Sequence, residues 1–338
     1  MTYLVVSSDF LAAPAFCEAT NIDSCVEGLV AVRRRLDSGD KCVLVEHGAL
    51  DALERNGLYP LVGLIRENSS RRDFHFEYSS NDITRVVNNI LASCVEGDIS
   101  LPEYLAEWEN FEVRPELFGF SESRASELNK LVEQVGIFAS HKCATVSILH
   151  SPIGVDVSRA LLKGTLSGVY PDIGISLPED VSIAAAIISK YSDYESSIDG
   201  AKLYEGSLVD GKFNVQAAMR AFEVGVKIRR DRAGLNEIPF TFGAGFLESL
   251  LEFQCGPGGR YGNAAYSIIC DVVADPHSEL SKPFHSDNRA KTQLVRDGKS
   301  AWRVHITKSG PGIRFMFWMS DRGIELANVG NKHDLVII

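Results

Sequence analysis

No apolar run in the 338-residue sequence approaches the ~20 residues that span a bilayer. The start, Met1-Thr2-Tyr3-Leu4-Val5-Val6, lacks a basic segment and meets Asp9 too soon for a secretory signal. A cytoplasmic protein with no membrane partner is the expectation. The seven cysteines (17, 25, 42, 94, 143, 255 and 270) are odd in number and scattered, with no C-x-x-C and no histidine at ligand spacing. That excludes a disulfide framework and a cysteine-rich zinc site, and leaves reduced, mostly buried thiols. Phosphate-loop, G-x-G-x-x-G and H-E-x-x-H motifs are absent. Gly256-Pro257-Gly258-Gly259-Arg260 precedes a helix without the Lys-Ser/Thr of a phosphate loop and reads as a turn. Positive charge is also scarce, at 34 Lys and Arg against 45 Asp and Glu for a net −11. No field of the whole chain would gather nucleic acid, so a polyanion must be met by a local basic surface.

What is present is the composition of an ordinary globular chain, with 45% hydrophobic and 23% charged residues, long enough for two or three domains. The first 80 residues alternate between strand and helix. Tyr3–Ser7 and Lys41–Glu46 read as strands, and Phe74–Tyr78 as a third. Ser24–Leu36, Ala49–Asn56 before Gly57, and Asn81–Cys94 read as helices. This alternation predicts an α/β region with a parallel sheet and flanking helices. Residues 95–120, acidic and aromatic with Pro102 and Pro115, read as a loop or insertion. Ser123–Phe138 then reads as a helix and Cys143–His150 as a strand. From 153 to 200 the pattern is helical, interrupted by glycines and prolines. Val215–Arg230 is an amphipathic helix whose basic end suits a C-terminus. These readings divide the chain into an α/β domain (1–152), a helical connecting region (153–235) and a last domain (236–338).

The last hundred residues are the most explicit. Ile238–Phe242 alternates as a strand, Gly245–Phe253 and Tyr261–Val273 carry helical faces, and a short strand at Thr292–Val295 follows. Ala301–Thr307, Ile313–Met319 and Gly323–Val329 complete an antiparallel meander, joined by turn-forming Ser309-Gly310-Pro311-Gly312 and Asp321-Arg322-Gly323. Pairing Ile306 with Ile313 and Met319 with Ile324 places Trp302, Val304, Ile306, Phe315, Phe317, Ile324 and Leu326 on one apolar face, which can cover the two helices. The other face then carries Arg303, His305, Arg314, Met316 and an exposed Trp318, with His305 opposite Arg314. A one-residue slip would bury both arginines at several kcal/mol each, so the pattern fixes the register. Lys291, Arg296, Lys332 and His333 fall at the ends of the sheet. Basic groups interleaved with aromatic rings are what phosphate and base contacts use.

Residues 236–338 resemble the RelE/HigB/ParE-type toxin fold. The likeness rests on Ile238-Pro239-Phe240-Thr241-Phe242 with the helix carrying Leu247, Leu250 and Leu251, on the helix running into Asp275-Pro276, and on Ala301-Trp302-Arg303-Val304-His305, Ile313-Arg314-Phe315-Met316-Phe317-Trp318 and Val329-Gly330-Asn331-Lys332-His333-Asp334. The resemblance implies an α+β domain of β-α-α order followed by the meander. It also implies metal-independent cleavage of mRNA, with no cofactor and with RNA or the ribosome as partner. Arg303 and Arg314 would stabilise the charged phosphorane, and His305 and His333 would exchange protons. Asp334 would orient His333, and Lys291, Arg296, Trp318 and Lys332 would hold RNA. Such effectors suit bacterial stress or phage defence, with the N-terminal two-thirds as sensor, inhibitor or platform for a protein partner. ParE-type relatives are not ribonucleases, so a non-enzymatic binding or assembly protein built on the same sheet is the rival reading.

A third reading rests on the N-terminal carboxylates. Asp9 ends the first strand, Glu46 ends the second and Asp82 follows the third, the placement a metal-dependent nuclease of the PIN type needs to hold Mg²⁺. Helix capping also places acidic residues at such positions. Residues 1–235 hold 34 acidic and 23 basic side chains and carry the whole net charge, whereas residues from Asn236 onward are balanced at 11 and 11.

Overall fold

Strand and helix alternate along the first 197 residues of this computed structural model, which describes residues 2–70, 78–96, 99–121, 124–151, 158–285, 292–307, 312–334 and 336–337. The chain divides into two compact units, Met1–Ser197 and Ile198–Ile338. In the first, β1 (Thr2–Val6), α1 (Ser8–Ala12), α2 (Ala19–Asp37), β2 (Val43–Val45), α3 (Ala49–Arg55), α4 (Leu61–Ser70) and α5 (Ser80–Glu96) follow one another. Then come β3 (Leu105–Arg114), α6 (Arg124–Lys142), β4 (Thr145–Leu149), β5 (Arg159–Tyr170), β6 (Glu179–Ile188) and α7 (Tyr191–Ser197). The six strands form one sheet in the order β2-β1-β4-β6-β5-β3.

The parallel sheet read from the sequence is four of these six strands. β2, β1, β4 and β6 are parallel, and their runs Leu4-Val5-Val6, Val43-Leu44-Val45 and Val146–Leu149 are buried, as strands covered on both faces require. β5 and β3 run antiparallel beside them, so the sheet is mixed. The eight-residue connection from β5 to β6 is too short for a parallel crossover, which needs a dozen or more residues.

Two expectations fail here. Residues 159–188 are strands rather than helix, because their buried positions alternate: Ala160 and Leu162 on β5, Val181, Ala185 and Ile187 on β6. The doubled apolar residues Leu161-Leu162 and Ala184-Ala185-Ala186 imitate helical spacing. Gly164 stands where a side chain would press on Trp108 and Phe111 of β3, so it serves strand pairing rather than breaking a helix. The supposed loop at 95–120 holds β3, a ten-residue edge strand. Its inward Trp108 donates to Glu133 on α6, while Glu107, Glu109 and Glu112 and two bulges blunt the edge. The strand expected at Phe74–Tyr78 lies, apart from Tyr78, outside the described residues.

The second unit begins with α8 (Gly200–Glu205), the hairpin β7 (Leu208–Val209) and β8 (Lys212–Phe213), and α9 (Val215–Ala233), capped by Asn214 and stopped by Gly234 at φ 65°. β9 (Phe240–Phe242), α10 (Phe246–Glu252), α11 (Gly262–Ala274), β10 (Lys282–Pro283), β11 (Val295–Arg296), β12 (Lys299–His305), β13 (Arg314–Ser320) and β14 (Gly323–Gly330) follow. The sheet order is β10-β12-β13-β14-β9, with β11 also on β12 and β9 parallel to β14. The region 153–235 is therefore not a connector. Its strands complete the first sheet, and Phe222 and Val226 of α9 enter the core of the second unit beside Tyr266 and Ile269 of α11.

The register of the meander follows the hydrophobic pattern: Trp302 opposite Phe317, Val304 opposite Phe315, His305 opposite Arg314 and Met319 opposite Ile324. Val304, Ile306, Phe315, Phe317, Ile324 and Leu326 pack on Phe246, Leu250 and Ile269 of the two helices. The opposite face is only partly solvated. Phe284, Leu294 and Ile337 cover Met316 and Trp318 in a second small core, so Trp318 is 1% exposed rather than the open ring expected. Parity along a strand says which way a side chain points, and neighbouring segments decide whether water reaches it.

Candidate anion-binding face

The uncovered end of that face carries the basic groups. Arg303 and His305 are two residues apart on β12 and point the same way. Arg314 on β13 is paired with His305, and Lys282 on β10 is paired with Arg303. Directly paired side chains stand about 5 Å apart at Cβ, and diagonal ones are within reach of long side chains. The sheet thus gathers three permanent cations and an imidazole onto one patch, with Lys282 and His305 exposed and both arginines half-buried.

Among the described residues no anion pairs with them. No described residue hydrogen-bonds or ion-pairs with the side chain of Lys282, Arg303 or His305. Arg314 donates Nη1 to the Lys332 carbonyl at 2.6 Å, while its buried Nε has no partner. Partial burial, with Arg314, Arg303 and Lys282 close by, holds the His305 ring below the ordinary imidazole value. Partial burial and Arg303 likewise lower the Arg314 guanidinium. Like charges set together on a sheet are destabilising, and a bound anion would relieve them.

The other residues named from sequence fall into distinct places. Asp334 does not reach for His333: its carboxylate accepts from the Asn331 amide and closes the turn that presents Lys332 and His333, both exposed. Arg296 lies 4.3 Å over the Trp318 ring and bonds Glu325, which also takes Lys299, so its charge is largely answered within the protein. Lys291 lies outside the described residues. Lys282 was missed because a lone Lys-Pro gives no strand signal; only the two-residue pairing of β10 brings it onto the patch.

The N-terminal carboxylates meet a different fate. At the carboxyl ends of β1, β2 and β4, where the chain reverses its direction across the sheet, stand Ser7-Ser8-Asp9, Glu46 and His150. Arg124, the first residue of α6, fills the space between them. Its Nε donates to Asp9 at 3.0 Å, its Nη2 to Ser8 at 2.7 Å and Glu46 at 3.2 Å, and its Nη1 to Glu127 at 2.6 Å. Ser8 donates its amide and hydroxyl to Glu46, each at 2.7 Å, and the Phe120 amide donates to Asp9 at 3.1 Å. His150 donates Nε2–H to the Phe118 carbonyl at 2.7 Å and therefore accepts the Ser7 hydroxyl on Nδ1 at 3.0 Å. Burial keeps its ring below the usual value.

Asp82 does not join them. It is exposed at the start of α5, bonded to Ser79 and Arg85, and Ser79 together with Arg85 lowers its carboxyl. No three His, Cys, Asp or Glu among the described residues gather as a metal site would need. The arrangement is a satisfied ion network in which a guanidinium stands between the carboxylates. A cleft of about 660 Å³ opens beside it, lined by five carboxylates together with Arg55, Arg124 and Lys130, of which Glu127 pairs with both arginines. No helix among the described residues is long and apolar enough to cross a membrane. Comparisons with family models, with curated proteins and with solved structures find no match to this chain.

Proposed function

We propose that the protein is a toxin-like RNA-cleaving effector. Its second unit is the RelE-type domain that binds and cuts RNA without a metal, and its first unit is the regulatory or sensing region. The observation that carries this reading is the unneutralised patch of Lys282, Arg303, His305 and Arg314 on one sheet face. In a chain with eleven more acidic than basic residues, pairing every cation would be easy. The succession β9, α10, α11 and then the antiparallel β12, β13 and β14, with both helices packed on the far face, is further support.

In this proposal Arg303 and Arg314 hold the scissile phosphate and stabilise the phosphorane. Each such donor is worth about 10²–10³ in rate where it has been removed from other enzymes. His305 and His333 exchange the protons, one taking that of the 2′-hydroxyl as base and the other protonating the leaving 5′-oxygen as acid. Lys282 and Lys332 extend the positive track along the RNA backbone.

The test uses the full chain, purified and incubated with single-stranded RNA in EDTA. Cleavage that falls at least about a hundredfold in Arg303→Ala plus Arg314→Ala is the expected result. RNA bound tightly but left intact would turn the reading to a non-enzymatic binding protein. Cleavage abolished by EDTA and by Asp9→Asn would return it to the N-terminal carboxylates.

A further inference from the structure

We propose that docking of an RNA phosphodiester on this face is coupled to uptake of a proton by His305, making the patch a proton-linked anion site that tightens as pH falls. The inference rests on the RNA reading above and assigns the regulation of that same face.

The geometry around the imidazole carries it. From its own strand His305 is faced by Arg303, from β13 by Arg314 directly opposite, and from β10 by Lys282 across from Arg303. Beyond Arg314 the turn at 331–334 offers the Lys332 carbonyl, already taken by the guanidinium, and the Asp334 carboxylate, already taken by Asn331. No carboxylate among the described residues hydrogen-bonds or ion-pairs with the ring. Among the described residues three cations therefore act on the imidazole and no carboxylate pairs with it, and the free protein keeps it neutral at neutral pH.

A phosphodiester brings full negative charge into the middle of the cluster. It cancels the repulsion from Arg303, Arg314 and Lys282 and offers the ring N–H groups an acceptor, and both effects favour the imidazolium. The bound state thus holds its proton to a higher pH than the free state. By linkage, affinity must rise as pH falls through the interval between the two values. The limit for a single site is about tenfold per pH unit. Above that interval the ring is neutral in both states, and affinity no longer depends on it.

The test measures binding of a 2′-O-methyl oligouridylate by the full chain. That probe lacks the nucleophilic hydroxyl, so cleavage does not interfere, and its phosphodiesters do not titrate between pH 5 and 8. Calorimetry in two buffers of different ionisation enthalpy counts the protons taken up. The wild type is expected to take up a fraction of one proton near pH 6 and to bind up to about tenfold more tightly there than at pH 7.5. His305→Gln should show neither effect. Titration of the His305 ring by NMR in the wild type, with and without the oligonucleotide, asks the same question without a substitution. An unmoved ring, or proton uptake that survives in His305→Gln, overturns the coupling and leaves the RNA-binding reading standing. Failure of the wild type to bind at any of these pH values overturns both.

Discussion

Replacing Arg124 by methionine tests whether the N-terminal cluster is a structural ion network. Methionine keeps an unbranched stem of similar reach, so the lost charge dominates the change. In the native unit the Arg124 side chain is 1% exposed, Asp9 is fully buried and Glu46 is 8% exposed. Removing the cation leaves two buried carboxylates beside each other with only Ser8 and the Phe120 amide to solvate them. Breaking a buried pair in this way costs about 3–5 kcal/mol. At about 2–4 °C per kcal/mol for a unit of this size, melting should fall by roughly 6–20 °C. Asp9→Asn, Glu46→Gln and Arg124→Met together remove all three charges and should restore part of the loss, because a neutral buried set costs less than a half-charged one. Hydrogen exchange of peptides covering β1 and β4 reports this unit separately. A variant within about 1 kcal/mol of wild type would refute the argument, since an open, hydrated site would tolerate the loss.

The remaining predictions concern both units. Trp318→Ala should destabilise the second unit by about 3–5 kcal/mol, as for other buried aromatics, and alter RNA binding only through that loss; a stable variant with weakened binding would restore the stacking role read from sequence. Burial pushes the Cys255 and Cys270 thiols up to about 12, so both should resist alkylation at pH 8 in the folded chain while exposed Cys143 reacts, an order that mass spectrometry of modified peptides can read. His150, held below its ordinary value of about 6.5 mainly by burial, binds its proton later than the unfolded chain does as the solution is acidified. Its contribution to stability is complete above about pH 6.5 and is lost as pH falls toward the folded-state value. Urea melts of wild type and His150→Gln should therefore converge on acidification, and parallel curves would contradict the assignment.

The C-terminal meander was legible because its signal is local and redundant. Alternation in Trp302-Arg303-Val304-His305 and Arg314-Phe315-Met316-Phe317 sets parity, and the cost of burying two arginines sets register. The same logic failed for Trp318, whose cover comes from Phe284 and Ile337, segments with no pattern of their own. It failed again at 159–188, where small and doubled apolar residues fit a 3.6-residue period as well as a two-residue one. Asp9 and Glu46 lie just beyond strand ends, yet their partner Arg124 lies 115 residues beyond Asp9 at the head of a helix. Long-range partners of that kind leave no trace in spacing. A basic residue at the head of a helix, against the dipole, is the one hint the sequence offered.

The two kinds of arginine site explain how the charge of the chain is used. Met1–Ser197 contains 29 acidic and 16 basic residues, and there Arg124 is saturated by carboxylates on every nitrogen face. Ile198–Ile338 contains 16 acidic and 18 basic residues, and its arginines divide. Arg229 is bound to Asp271 and Arg296 to Glu325, each with its charge answered by a neighbour. Arg303 and Arg314 instead look at His305 and Lys282. Folding alone favours the first arrangement, since a cation beside an anion is better placed than one beside another cation. The cost of the second is small because the group is partly hydrated, and an external anion would offset it. An excess of acid across the chain makes an unpaired cationic patch harder to dismiss as chance, because no described carboxylate pairs with Lys282, Arg303 or His305 where so many are at hand.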